Sequence, residues 1–181
     1  MKERTFHLKT TVVADEENKH CYEITRELEG ESGEHVFLVT LYPSYSASTQ
    51  TLYIDSTGNS LINHMYQMGI SKVTMVFLFT EKTMGAKKST KRLKDNTDGI
   101  EYFEELLKNP MNKRAKVIIA LGGSMMKNKV AIRTRNLLFT MLKKYRKELY
   151  QLSNSRVEVC SPFGIHPLFL SCRAKKLPWD T

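Results

Sequence analysis

Cysteine is scarce in this chain: three in 181 residues, Cys21, Cys160 and Cys172, with no C-x-x-C spacing among them. An odd number without paired spacing argues against a disulfide framework and reads as reduced thiols, expected in a cytoplasmic protein. Long apolar runs are also missing. The longest, Val73 to Phe79, is broken by Thr74 and is far too short to span a bilayer. The N-terminus carries charged and polar groups where an export signal has its apolar segment, so neither a membrane nor a secretory route is expected. His7, His20, His35, His64 and His166 are scattered, and none pairs with cysteine at zinc-like spacing, so no metal or other cofactor is expected. There is no G-x-S-x-G elbow. Nor is there a Walker loop, because Lys127 and Lys129 stand at the wrong distance from Gly122-Gly123. Without an internal repeat or a low-complexity linker, one domain over residues 1–181 is the simplest organisation: an N-terminal extension over 1–34, a core over 35–170 and a tail over 171–181.

What the chain does have is positive charge, distributed unevenly. Its formal net charge is +9. Residues 1–81 hold 6 Lys and Arg against 11 Asp and Glu, a net of −5, whereas residues 82–181 hold 22 against 8, a net of +14. Such a split predicts a basic face suited to phosphates, and hence a nucleic acid (DNA above all) or a nucleotide as partner. Solvated, lysine-decorated helices are the plainer alternative.

Hydrophobic periodicity predicts an α/β chain. Thr5–Ala14 and Cys21–Leu28 alternate around a polar stretch, as an antiparallel hairpin does. His35–Leu41, Val73–Phe79, Lys116–Leu121 and Arg156–Cys160 are short apolar or β-branched runs expected to be strands. Asp55-Ser56-Thr57 can cap a helix carrying Leu61, Met65 and Met68, with Gly69 as its stop. A second helix is marked by Ile100, Phe103 and Leu107 and closed by Asn109-Pro110. A third, long one is marked by Val130, Thr134, Leu137, Met141, Tyr145 and Leu149. Alternating strands and helices predict a three-layer α/β/α fold, with a mostly parallel four-stranded sheet plus the N-terminal β-hairpin. Sites in such folds lie beyond the carboxyl ends of the strands, which leaves segments 42–55, 80–97, 122–128 and 161–171 in competition.

Within those segments, Pro43 stiffens the Leu41-Tyr42-Pro43-Ser44 turn that ends the first core strand. His166 precedes Pro167, which holds the histidine extended and available for hydrogen bonding or proton transfer. The commoner role of a histidine among apolar neighbours is structural. Leu121-Gly122-Gly123-Ser124 can form an anion-binding nest or simply allow close helix packing. The stretch from Lys82 to Lys94, with Lys87, Lys88, Lys91 and Arg92, suits phosphate contacts, as do Ser124 and Lys127. Tyr42, Tyr45 and Tyr53 can stack on a base.

Taken in order, Leu41-Tyr42-Pro43-Ser44, Asp55-Ser56-Thr57, Phe77-Leu78-Phe79, Ala120-Leu121-Gly122 and Gly164-Ile165-His166-Pro167-Leu168 resemble the bacterial and phage family called domain of unknown function 1643. That family's motifs read L-N-P-S-T-A, D-x-T, N-L-F, A-W-G and G-x-H-P-L. They are similar in turn to the uracil-DNA glycosylase superfamily. The resemblance covers about residues 22 to 170. It implies a parallel four-stranded α/β/α sheet and hydrolysis of a base–sugar bond after the base is flipped out of the helix. It further implies that the first motif positions water and that His166 stabilises the departing base. Tyr42, Pro43, Tyr45, Phe79, Gly122, Gly164 and Pro167 are then expected to line the substrate pocket. Tyr42 stands where the family has asparagine, and Phe77 where it has the asparagine of N-L-F. A tyrosine does not position water as an amide does, so Ser44 or Asp55 is the candidate for that task beside His166. The expected function is a glycosylase-like nucleic-acid protein acting on an unusual or modified base. The alternatives are a non-catalytic nucleic-acid or protein interaction module on the same fold, or an enzyme of free nucleosides and nucleotides.

Overall fold

The computed structural model describes residues 5–43, 56–81, 96–123, 126–153, 163–167, 170 and 175–179. The chain opens with the expected hairpin, β1 (His7–Ala14) antiparallel to β2 (Cys21–Glu29). Strand β3 (Glu34–Thr40), β4 (Ile70–Phe77), β5 (Lys116–Ile119), β6 (Leu149–Ser153) and β7 (Lys175–Pro178) complete one seven-stranded sheet in the order β1-β2-β4-β3-β5-β6-β7. Pairings β4–β3, β3–β5 and β5–β6 are parallel, whereas β1–β2, β2–β4 and β6–β7 are antiparallel. The expected four-stranded, mostly parallel sheet is therefore corrected to a larger, mixed one. The hairpin is no appendage, because β2 adds to the free edge of β4 from Glu23↔Val76 to Glu27↔Lys72. The far edge is closed by residues 175–178, in the stretch expected to be a tail.

Helices cover both faces. The sheet alternation sends Val36, Leu38, Val73 and Met75 toward α1 (Ser56–Met65), where Leu61 and Met65 pack on them. Phe37, Val39, Val76, Val117 and Ile119 point the other way, into α2 (Asp98–Lys108) and α3 (Lys129–Lys144). The Phe37 and Phe103 rings meet edge-on, with centroids 5.1 Å apart. At the amino ends of the parallel strands, Glu34 of β3 accepts from Lys116 of β5 at 2.7 Å and also from Lys176 of β7. No helix among the described residues is long and apolar enough to cross a membrane.

Helix ends follow local chemistry. After α1 a single 3-10 turn runs to Met68, and Gly69 caps it in the left-handed conformation (φ 69°). Helix α2 stops before Asn109-Pro110 as its sequence indicates. Helix α3 starts on Asn128, whose side chain accepts from the Val130 and Ala131 amides at 2.9 and 3.1 Å. Its end departs from expectation. Arg146 adopts φ 48°, the Arg146 amide donates to Lys143 O and the Lys147 amide to Leu142 O. This is the Schellman arrangement, with arginine where glycine is usual. The helix therefore ends at Lys144, and Leu149 belongs to β6 rather than to the helix. The fourth parallel strand is Leu149–Ser153, while Arg156–Cys160 lies outside the described residues.

A left-handed non-glycine residue costs about 1–2 kcal/mol, partly offset by the greater unfolded-state freedom of glycine. Arg146→Gly is therefore expected to stabilise the protein by about 0.5–1 kcal/mol, read from the midpoint of urea unfolding at an unchanged slope.

Candidate functional site

Strands β3, β4 and β5 run parallel, so Thr40, Phe77 and Ile119 finish at one edge of the sheet. Backbone pairing continues past them. Leu78 donates to Thr40 O at 3.0 Å, Phe79 to Leu41 O at 2.7 Å, Ala120 to Val39 O at 2.9 Å and Leu121 to Phe163 O at 2.8 Å. The segment Phe163–Pro167 thus lies alongside the extension of β5, which lies in turn between it and the end of β3. Phe163 belongs to the α2/α3 core and Ile165 to the α1 core, so this short segment crosses the carboxyl edge from one face to the other.

Two glycines make that crossing possible. Gly164 has φ 68°, and a Cβ placed on it would sit 2.1 Å from the Ile119 carbonyl oxygen. No side chain fits there. Gly122, at φ 74°, lies under the imidazole of His166, and a Cβ there would be 3.1 Å from the His166 Cβ. The segment is tied down at two further points. The Ser60 hydroxyl of α1 donates to Pro167 O at 2.8 Å, and the Arg135 guanidinium of α3 stacks over the Phe163 ring at 4.9 Å.

His166 itself is half-buried, and burial lowers its pKa below the ordinary 6.5. Its imidazole is therefore neutral at pH 7, able to donate from one ring nitrogen and accept at the other. Thr40 adds a second polar feature. Strand alternation puts it on the α1 side, the side of Ile165, and its buried hydroxyl has no hydrogen-bond partner among the described residues. Such a group costs about 1–3 kcal/mol until something satisfies it.

The predicted residues fall into four groups. His166, Gly122, Gly164 and Pro167 are brought together at the carboxyl edge. Tyr42 is half-buried against the α2/α3 core, Pro43 is buried at the end of β3, and Phe79 is packed within that same core rather than open to a pocket. Lys127 is exposed just before α3. Ser44, Tyr45, Asp55, Lys87, Lys88, Lys91, Arg92 and Ser124 lie outside the described residues. Ser60, Arg135 and Thr40 were not anticipated. Thr57, one turn before Leu61 on the same face of α1, is buried as well, but no sequence pattern pointed to Ser60, Arg135 or Thr40. No group of three or more potential metal ligands occurs among the described residues. No family model matches the chain, and no curated protein matches it either.

Two outcomes are expected. Gly164→Ala should destabilise by about 2–4 kcal/mol, from left-handed strain plus overlap with the Ile119 carbonyl. Gly30→Ala, at φ 77° but with open space around it, should lose only about 1–2 kcal/mol; equal losses in urea unfolding would refute the packing argument. In an NMR titration, the ring protons of His166 should show a midpoint below 6.5. Because the unfolded chain binds that proton first, stability from the buried neutral ring is full above about pH 6.5 and declines as pH falls toward the folded pKa.

Proposed function

We propose that the carboxyl-edge crevice acts on a nucleic-acid base, with His166 as the group that meets the departing base. The observation carrying this reading is a neutral, half-buried imidazole braced over Gly122, beyond the carboxyl ends of parallel strands. Ligands of open α/β sheets bind in this location. The resemblance of the ordered motifs to the family called domain of unknown function 1643, and through it to uracil-DNA glycosylases, supports the same reading. So does the concentration of positive charge in residues 82–181.

In the proposed reaction the base leaves the helix and enters the crevice. The bond between the sugar C1′ and the base nitrogen breaks, and its electron pair goes to the base. The His166 N–H donates to the base oxygen on which that charge grows. A donor held in place before the reaction suits this task, since it stabilises the charge as it develops without reorganising. Water then adds its hydroxyl to C1′, and its proton ends on the released base. Ser44 or Asp55 orients that water, and Lys87, Lys88, Lys91, Arg92, Ser124 and Lys127 contact the phosphates. A second reading, binding without excision, is favoured by Tyr42, whose phenol offers a stacking face but no amide.

Oligonucleotides carrying uracil or modified bases, single-stranded and duplex, are incubated with the protein and then treated with alkali to reveal abasic sites. Strand scission is expected with at least one base, reduced about 10²–10³-fold in His166→Ala. Binding should weaken by roughly 10²–10³-fold between 50 and 200 mM salt if about five phosphates are contacted. Tight, salt-sensitive binding without scission at any base would leave the module reading; no binding even at low salt would defeat both.

A further inference from the structure

A second polar site lies away from the carboxyl edge, on the sheet face shared by α2 and α3. There the sheet extends past the helices, and β1, β2, β4 and β3 floor a cleft of about 260 Å³ walled by Leu106 of α2 and Asn112. Register sets two transverse rows of side chains across it. One row is Lys9, Glu27, Lys72 and His35, and the next is Thr11, Thr25, Thr74 and Phe37. Under α2 and α3 the same face is apolar, with Val39, Val76, Val117 and Ile119. The face thus passes from apolar residues to hydroxyls and charges where it leaves the cover of these helices.

Its floor is a single polarised hydrogen-bond chain. The Thr25 hydroxyl donates to Glu23 Oε1 at 2.6 Å, which uses its one proton. Thr74, 3.0 Å from Thr25, must then donate to it, and His35 Nε2, 3.0 Å from Thr74, must donate in turn. Tyr102 closes the other end, donating to Glu23 Oε2 at 3.0 Å. This direction fixes the Nε2–H tautomer of His35 and leaves Nδ1 as the acceptor of the ring. Burial first, then the neighbouring Lys72 charge, holds the His35 pKa near 4, so the ring stays neutral and Nδ1 keeps its lone pair at neutral pH.

The charges at the cleft are two lysines, Lys9 and Lys72, and two glutamates, Glu23 and Glu27. They sum to zero, so the cleft does not collect polyanions as a basic face does. Glu23 is occupied by Thr25 and Tyr102, but Lys72 and Glu27 are only loosely paired at 3.6 Å, against about 2.7–2.9 Å for a close charge-assisted bond. Lys72 and Glu27 stand side by side on adjacent strands, so the cleft presents the two opposite charges, 3.6 Å apart, that the two ends of a small dipolar ion call for. The volume, just below the ~300–1,000 Å³ typical of ligand sites, sets a small size limit. We propose that this cleft binds a free zwitterion of amino-acid size, its carboxylate on Lys72 and Lys9 and its ammonium on Glu27 and His35 Nδ1.

The test is thermal unfolding of the full chain with each common free amino acid in turn, at about 10 mM. At least one is expected to raise Tm saturably, by roughly 3–6 °C at ten times its Kd. Its N-acetyl derivative and its methyl ester, each lacking one charge, should give no shift. Lys72→Met and Glu27→Gln should abolish the shift while His166→Ala leaves it intact, which separates this site from the carboxyl-edge crevice. Should Lys72→Met not fold, Lys9→Met at an exposed position on β1 is expected to weaken the shift at least fivefold in Kd. No shift with any amino acid, equal shifts with the blocked derivatives, or an unchanged shift in both Lys9→Met and Glu27→Gln overturns the proposal.

Discussion

The approach of residue 164 to the Ile119 carbonyl, too close for any Cβ, is the constraint on which the carboxyl edge depends. A side chain at residue 164 would lift the chain from β5 and break the Leu121–Phe163 hydrogen bond. Phe163 would leave the α2/α3 core, and Pro167 would lose its anchor on Ser60 of α1. The position of His166 is thus an outcome of backbone packing. Its ring rests on a second glycine, Gly122, so the imidazole is placed by two residues that contribute no side chain. Its neutral state follows from the same packing, since the segment that holds the ring also removes it from water.

How much could be read without coordinates varied with the local chemistry. The hairpin was legible from its alternation, and α1 and α2 because each is followed by a residue whose conformation has a clear cause: Gly69 in the left-handed region, and Pro110 with no amide to donate. Helix α3 was overrun because Tyr145 and Leu149 extend its apolar period by chance, and arginine stands where a glycine would have announced the end. Strand β6 begins at Leu149, the residue that reads as the last of that apparent helix. Strand β7 is only four residues long, Lys-Lys-Leu-Pro, too short and too charged to register as a strand. At the site, His166 was legible through the proline after it. Ser60 and Thr40 were not, since their importance comes from what the fold sets opposite them.

The two polar regions differ in how their chemistry is written. The carboxyl edge draws on short motifs, continuous in sequence, and these can be compared between chains. The sheet-face cleft draws two or three residues from each of four strands, brought together by register, so no local pattern announces it. The charge split also takes on a spatial meaning. Residues 1–81 supply Glu23 and Glu27 of the cleft together with its two lysines, whereas the surplus of positive charge belongs to later segments.

The position of β3 in the sheet has a consequence for how the chain reaches this structure. Val36 pairs with Val73 and with Lys116, partners 37 and 80 residues further along, so both edges of the central strand wait for distant segments. Contacts this remote in sequence slow folding, because loop closure precedes any gain from pairing. Meanwhile Val36-Phe37-Leu38-Val39 is an uncharged, β-branched and aromatic run of the kind that self-associates when exposed. In the finished molecule this strand is paired on both edges and covered on both faces; in the nascent chain the same run is open to aggregation.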